Sequence, residues 1–443
     1  MQDIEFFSRA LGLKEPWRVK DVQMDIEAQK VTIEVECVCD TTWGTEEELL
    51  TVHGYEARRW RHLDTMQFET IIEARVPRVR HEDGHTEMVR VPWAEPQSRW
   101  TLMFEGFALR VLEHSRSVSR AAELLRLDWS SAQRIMERAV ARGLERRRLD
   151  GVRHLGVDEK SFRRLAHPPS PSIPLRRLGG QDYISVLVDL EAEAPRVLEA
   201  VEGRDTLAAV SLLETLPDPA RASVEAVAMD LSAAYAAASR QVLPQADVVH
   251  DRLPAPSGAA LRAASGRLSR SARLHISKLL GEAVDKVRRG EHQRLLARGD
   301  ETLKGTRYVW LFHPGELDPE RFDTLCDLLA LTHLQTARAY YHRIRFMDFW
   351  SQPGIAKAQR FFNQWLEEAR RSCLAPATKV AQTLCNHLGG LLTYFRHRII
   401  NALSESFNSS IQSLKANARG FRNFEHYRIR ILFFLGRLDL QPC

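Results

Sequence analysis

Three carboxylates carry the chemistry that this sequence offers. Glu405 stands in Ser404-Glu405-Ser406-Phe407-Asn408 and is the single charge on a ridge of Asn401, Glu405, Asn408 and Gln412, spaced by three and four residues as on one helix face. A merely solvated helix face usually mixes Lys and Glu in pairs, whereas a lone carboxylate between carboxamides suits a face that holds something. Asp158 and Asp230 each end an apolar run, Val152 to Asp158 and Val224 to Asp230. Either alone reads as the solvated end of a strand. Acids at the ends of neighbouring strands in an α/β sheet instead converge at the edge where ligands bind. Crowded carboxylates repel one another and take up protons unless a cation neutralises them, so the cluster implies bound divalent metal. Oxygen ligands completed by a substrate phosphate indicate Mg2+ or Mn2+. Two such ions serve phosphodiester chemistry by activating the attacking oxygen and stabilising the leaving one.

The elements that must position these acids are legible from periodicity. Ile400, Leu403, Phe407, Ile411 and Leu414 recur at helical steps and are expected to press the Glu405 helix against a sheet. Tyr183 to Asp189, Arg196 to Val201 and Asp247 to His250 read as further strands, with helices from Leu207 to Leu216 and over 233–243. Strands interleaved with helices in this order predict an α/β sheet. From Ile276 to Arg396 the pattern is helical, with aromatic residues at Trp310, Tyr340, Trp350, Phe361 and Trp365. Lys304, Arg307, Tyr308 and Trp310 combine charge with rings, a combination suited to holding a DNA end or a flipped base; a packed core is the competing reading for Trp310. The stretch 253–273 is Ala, Ser, Gly, Arg and Pro with no acid, the composition of a disordered loop.

Upstream, residues 1–95 read as a small β-rich domain. Val31, Ile33, Val35 and Cys37 alternate with polar residues, and Asp83-Gly84 sits in a hairpin between Thr70–Val79 and Glu87–Val91. Within Arg58-Arg59-Trp60-Arg61-His62, Arg59 and Arg61 are placed to touch phosphates, unless the segment is a strand end around a packed Trp. Cys37 and Cys39, with His81 and His85, raise the question of zinc. A one-residue spacing strains a tetrahedral chelate, so no zinc site is expected. Residues 96–150 carry helix-turn-helix spacing: Ala121, Ala122 and Leu125 on one helix, a turn at Leu127 to Trp129, a cap at Asp128 or Ser130, then Ala132, Ile135, Met136 and Ala139 facing inward. Ser131, Gln133, Arg134 and Arg138 are left outward, where a major-groove reader carries its contacts, and Arg142 with Arg146 to Arg148 extends the positive face.

The whole chain bounds these readings. At 443 residues it requires several domains, and its 44% hydrophobic and 27% charged content is that of a soluble globular protein. A net charge of +5 mildly favours an anionic partner. No apolar run is long enough to span a bilayer, and Met1 to Ala10 is unlike a signal peptide, so a cytoplasmic protein is expected. Six scattered cysteines, at 37, 39, 326, 373, 385 and 443, are expected to be free thiols.

The ordered set Gly156-Val-Asp-Glu-Lys-Ser-Phe, Met229-Asp-Leu-Ser, His250-Asp-Arg, Ala283-Val-Asp-Lys-Val-Arg-Arg, Leu303-Lys-Gly-Thr-Arg-Tyr, Ser404-Glu-Ser-Phe-Asn and Gly420-Phe-Arg-Asn resembles the ISL-three family of insertion-sequence transposases. The resemblance also takes in Arg58 to Asp64 and Val89 to Trp93. It implies a multidomain α+β protein: a β-rich domain (1–95), a helix-turn-helix (96–150), a ribonuclease-H-like catalytic core (151–252 and 397–443), and an α-helical insertion (253–396) in the 175 residues from Asp230 to Glu405. It further implies a DDE triad of Asp158, Asp230 and Glu405 holding Mg2+ or Mn2+, with Asn408 supporting Glu405 or touching DNA. The partners it implies are double-stranded DNA, as terminal inverted repeats and target, and a second copy of the chain in the synaptic complex. Where many members carry paired cysteines, this chain has only Cys37 and Cys39, and 253–273 reads as an insertion before Leu274-His275. The alternative expectation is a catalytically silent, sequence-specific DNA-binding protein; a nucleoid protein would lack preference for end sequences.

Overall fold

The alternation of Val31, Ile33 and Val35 becomes a strand in a computed structural model that describes residues 2–38, 43–44, 49–81, 83–115, 117–162, 183–191, 195–250, 275–399, 402–418, 420–421 and 423–442. For Gln2, Gly44, Leu49, His275, Ala402 and Glu405 the backbone alone is described. The reading of 253–273 as a loop therefore lies outside the described residues, as does Cys39. The chain divides into two compact units, Met1–Arg147 with Leu438–Cys443, and Arg148–Arg437.

In the first unit, β1 (Trp17–Asp25), β2 (Lys30–Cys37), β3 (Trp43–Gly44), β4 (Leu49–Thr65), β5 (Phe68–Arg80) and β6 (Thr86–Met88) form one sheet in the order β1-β2-β5-β4-β3, with β6 on β5. The hairpin expected around Asp83-Gly84 joins β5 to β6, with Gly84 at φ +85° where an L side chain would be strained. Val31, Ile33, Val35 and Ile72 fill the core beside Trp17, Trp60 and Trp93, whose rings meet edge to face at 5.0 and 5.4 Å. Trp60 is thus a packed core residue. Arg61 corrects the expectation of a phosphate contact. It is 8% exposed, and its guanidinium is spent on Asp64 and on the His62 carbonyl at 2.7 Å. Arg59 stays exposed, 2.9 Å from Glu73.

Helices follow at Leu102–His114, Val118–Leu124 and Trp129–Arg146. Ala121, Ala122, Leu125, Ala132, Ile135, Met136 and Ala139 are all buried, which is why the short second helix can lie close to the third. The Asp128 carboxylate caps the third helix by accepting from the Ser131 backbone N–H at 2.9 Å, and its pKa is held down by bonds from the Ser130 and Ser131 hydroxyls. Two outward assignments fail. Gln133 is 2% exposed and bonds Glu137, and Arg138 is tied to Glu95 at 2.5 Å. Arg142 is also interior: it bonds Glu95, Glu105 and the Leu440 carbonyl. The final residues, from Leu438, belong to this unit and not to the last core segment as 397–443 would have it.

In the second unit, β7 (His154–Ser161), β8 (Tyr183–Asp189), β9 (Arg196–Glu202), β10 (Ala226–Met229) and β11 (Asp247–His250) form a sheet ordered β11-β10-β7-β8-β9. β7, β8 and β9 run antiparallel in turn, while β10 is parallel to both β7 and β11. Side chains alternate across it. Leu155, Val157, Leu187, Leu198 and Val227 pack on the helices Thr206–Glu214 and Ala233–Val242. On the other face, Thr393 of the helix Leu388–His397 donates to the Val248 carbonyl, and Arg428 of the helix Phe424–Leu435 grips Glu199 through two bonds of 2.7 and 2.6 Å. Seven α-helices between His275 and His397 carry the expected helical pattern. They bury two aromatic-rich cores, one around Phe346, Phe349, Trp350 and Trp365, the other around Trp310 and Tyr340.

Candidate active site

Asp158 lies within β7, and Asp230 follows the last residue of β10. The parallel register pairs Ala228 with Gly156. Two residues further along each strand stand Asp230 and Asp158, at corresponding positions on strands about 5 Å apart. Asp158 Oδ1 accepts from the Glu159 N–H at 2.7 Å, and Asp230 Oδ1 from the Ser232 N–H at 3.0 Å. Buried Tyr235, whose hydroxyl meets that of Ser185 at 2.8 Å, has its pKa pushed up by burial and then by Glu159, Asp158 and Asp230. One buried ring therefore feels both aspartates.

The helix Ala402–Asn417 brings the third element. Its buried positions are Ser404, Asn408, Ile411 and Lys415, at steps of four, three and four, while Leu403, Phe407 and Leu414 are half-exposed. The docked face is therefore mixed, with Ile411 of the apolar stripe sharing it with three polar residues. The partner is the end of β7, whose acceptors reward polar reach: Asn408 Nδ2 donates to Asp158 Oδ2 at 2.6 Å, and Lys415 Nζ donates to the Ser161 carbonyl at 2.9 Å. Glu405 occupies the helix one turn before Asn408. Asn408 Oδ1 and Ser404 Oγ are buried without a hydrogen-bond partner among the described residues. Buried oxygens of this kind normally have a partner.

Behind Asp230, His250 at the end of β11 donates Nδ1–H to the Asp230 carbonyl at 3.0 Å. Burial, then the neighbouring His387, lowers the His250 pKa to about 4. His62 in the first unit is likewise lowered to about 4, by burial and then by Arg61. Above pH 6.5 both imidazoles are neutral in folded and unfolded chain alike. As the pH falls from 6.5 toward 4, the unfolded chain binds protons that the folded one refuses, so each histidine withdraws up to about 3 kcal/mol of stability in that window. Urea denaturation at pH 7 and pH 4.5 checks this: His62→Gln is expected to lose less stability than wild type between the two. Gly390 lies against the same histidine. A Cβ there would stand 2.2 Å from His250 Cδ2. Gly390→Ala is expected to cost about 1–3 kcal/mol, read as a lower urea midpoint, and to slow any reaction that depends on the position of Asp230.

The basic residues divide. Arg134 is exposed and Ser131 half-exposed on the Trp129–Arg146 helix. Lys304 is exposed and paired with Glu301 at 2.8 Å; Arg307 is exposed, 3.8 Å from Asp285. Trp310 is fully buried with Nε1 on Thr306, so it belongs to the core, while Tyr308 is exposed. Sequence reasoning missed Tyr235 and the hold of His250 on Asp230. His250-Asp-Arg was noticed as a motif, but no periodicity says which carbonyl its imidazole meets.

A family profile described as "Transposase" matches residues 175–253 and 272–431, and one described as "Helix-turn-helix domain of transposase family ISL3" matches 89–140. Among curated relatives, the transposase for insertion sequence element IS1001 of Bordetella parapertussis is 24% identical over 388 residues, covering 86% of this chain and 85% of its own. The transposase for IS1557 of Mycobacterium tuberculosis is 26% identical over 395 residues, covering 84% and 80%. A solved structure, the Drosophila P element transposase strand transfer complex, aligns over 76% of this chain and 92% of its own at 11% identity, with a TM-score of 0.39 that carries no argument. The chain belongs to the ISL3 family of DDE insertion-sequence transposases. It is a DNA-cleaving and strand-transferring enzyme of the divalent-metal class, with a helix-turn-helix for DNA.

A third profile, "zinc-finger of transposase IS204/IS1001/IS1096/IS1165", matches 48–82. That stretch contains no cysteine. Its histidines are engaged apart from one another: His53 with Arg80 at 3.0 Å, His62 with Thr101 at 2.9 Å, His81 with Glu87 at 3.2 Å. The residues present do not fit a zinc ion, and β4 and β5 are held by their hydrogen-bonded register and by the tryptophan core instead.

Among the described residues, no helix is long and apolar enough to cross a membrane.

Proposed function

We propose that Asp158, Asp230 and Glu405 are the catalytic triad of a ribonuclease-H-like core (151–252 and 397–437) interrupted by a helical domain (253–396), preceded by the β-rich domain (1–95) and helix-turn-helix (96–150). The observation that carries this reading is the placement of Asp158 and Asp230 at corresponding positions of neighbouring parallel strands, with Asn408 bonded to Asp158 one turn from Glu405. An antiparallel trio beside two parallel strands, in the order β9-β8-β7-β10-β11, is the sheet order expected of such a core. The donor set is all oxygen, and on the Glu405 helix two buried oxygens, Asn408 Oδ1 and Ser404 Oγ, have no hydrogen-bond partner among the described residues. That chemistry fits magnesium or manganese.

When bound, the ions would supply an activated attacking oxygen and stabilisation of the leaving one. The chain's own part is positional. The Glu159 N–H and the Asn408 amide fix the two oxygens of Asp158; the Ser232 N–H and His250 fix Asp230 at its side chain and its carbonyl. Ser131, Arg134, Arg59, Lys304 and Arg307 remain the residues to touch DNA, the first two in the major groove of the terminal inverted repeats. Two copies of the chain would pair two ends in a synaptic homodimer. Incubating the protein with end-containing DNA tests the reading. Nicking at the ends should require magnesium or manganese and vanish with EDTA, while end binding persists and weakens steeply with salt. End-specific binding with no metal-dependent nicking would select the silent DNA-binding protein instead.

A further inference from the structure

At the opposite end of the same two strands, His154 begins β7 and Glu225 immediately precedes β10, the register pairing Ala226 with His154. His397 ends the helix Leu388–His397. One ring nitrogen of each histidine and one carboxylate oxygen of Glu225 lie within 4.8 Å of one another. The two imidazoles stand with centroids 5.8 Å apart, nearly perpendicular at 70°. We propose that His154, Glu225 and His397 form a second metal site, distinct from the DDE acids, that takes a borderline divalent ion such as zinc or cobalt.

Four observations carry it. Two imidazoles and one carboxylate are the donor set that zinc and cobalt accept and magnesium does not. Each histidine also has a carboxylate beside it: His397 Nε2 lies 2.8 Å from Asp247, and His154 Nδ1 lies 3.4 Å from Glu191. Such a partner orients a ligating ring and fixes which nitrogen carries the proton. Glu191 Oε1 is buried without a hydrogen bond among the described residues, leaving it to accept from His154 once that ring donates. Finally, the charge is open to a cation: among the described residues, the arginines paired with Glu191, Glu225 and Asp247 are Arg153 and Arg396. A bound ion would clamp the last helix of the insertion to the base of β7 and β10, eight residues before Glu405. It would act as a structural tie at the point where the chain returns to the core.

The test uses untagged, full-length protein carrying Asp158→Asn, Asp230→Asn and Glu405→Gln, so that the catalytic acids hold no ion and the outcome is independent of the triad assignment. Titration with Co2+ alone is expected to give one tight site with ligand-field absorption and no thiolate charge-transfer band. Adding His154→Ala or His397→Ala should abolish it, and Glu225→Gln should weaken it at least tenfold; Glu225 is exposed, so that variant keeps its fold. Co2+ should also raise Tm in the parent and not in the two histidine variants. Unchanged stoichiometry in His154→Ala, unchanged affinity in Glu225→Gln, a thiolate band, or no binding in the parent overturns the proposal.

Discussion

Asp158→Asn is expected to lower the single-turnover rate of end cleavage by on the order of 10³-fold or more, about 4 kcal/mol of transition-state stabilisation, with DNA affinity and Tm unchanged. The substitution keeps shape and volume and removes one negative charge where a cation must be held. Folding tolerates it because Asp158 Oδ1 and Oδ2 each receive an N–H, from Glu159 and from Asn408, and an amide oxygen still satisfies one of these donors. Asn408 provides the internal contrast. As a positioning residue it acts through Asp158, so Asn408→Ala should cost about ten- to a hundredfold, and the loss should be partly recovered by raising the manganese concentration. Asn408→Asp sets a second carboxylate against Asp158 at the present 2.6 Å contact and should raise the metal requirement further. Cleavage by Asp158→Asn at the wild-type rate would remove this aspartate from the chemistry and the triad with it.

Much of this site was legible because it is written in local periods. The short apolar runs ending on Asp158 and Asp230 have the length and composition of buried strands, and the strand expected over 247–250 forms at Asp247–His250. The inward positions of the helix-turn-helix followed from their spacing for the same reason. What failed is what depends on the partner surface. On the helix Ala402–Asn417 the apolar stripe and the polar ridge are equally periodic, and nothing local says that β7 offers a carboxylate and a carbonyl acceptor to the face that also buries Ile411. Asn408 and Lys415 turned inward because each finds a strong acceptor there. Arg61, Gln133, Arg138 and Arg142 mislead for a related reason. A charge-rich segment looks solvated until the acids opposite it are known: Glu95 and Glu105 lie 43 and 37 residues from Arg138 and Arg142, while the nearer acids Asp64 and Glu137 sit in the same charge-rich segments as Arg61 and Gln133.

Arg142→Ala is expected to destabilise the first unit by about 3–5 kcal/mol, near 10 °C in Tm for a unit of this size, although the sequence pattern places this arginine on a DNA-facing surface. Its guanidinium bonds Glu95 at 2.8 Å, Glu105 at 2.5 Å and the Leu440 carbonyl at 2.6 Å. Glu105 is 1% exposed, and its Oε2 has no hydrogen bond among the described residues. Without Arg142, Arg138 at 3.7 Å is its remaining cation, and the carboxylate stays buried nearly uncompensated. Burial already raises the Glu105 pKa against the pull of Arg142. Removing that pull raises it further, so the folded variant prefers a protonated Glu105. The damage should then be largest at pH 7 and shrink as the pH falls through the raised pKa, the reverse of the trend set by His62. Arg142→Met with Glu105→Gln should recover part of the loss, because it removes the stranded charge that Arg142→Met alone leaves. Arg134→Ala, on the exposed side of the same helix, should leave the urea midpoint in place and weaken DNA binding with a shallower salt dependence. An Arg142→Ala protein that keeps its midpoint and loses only DNA affinity would return this arginine to the DNA-facing surface.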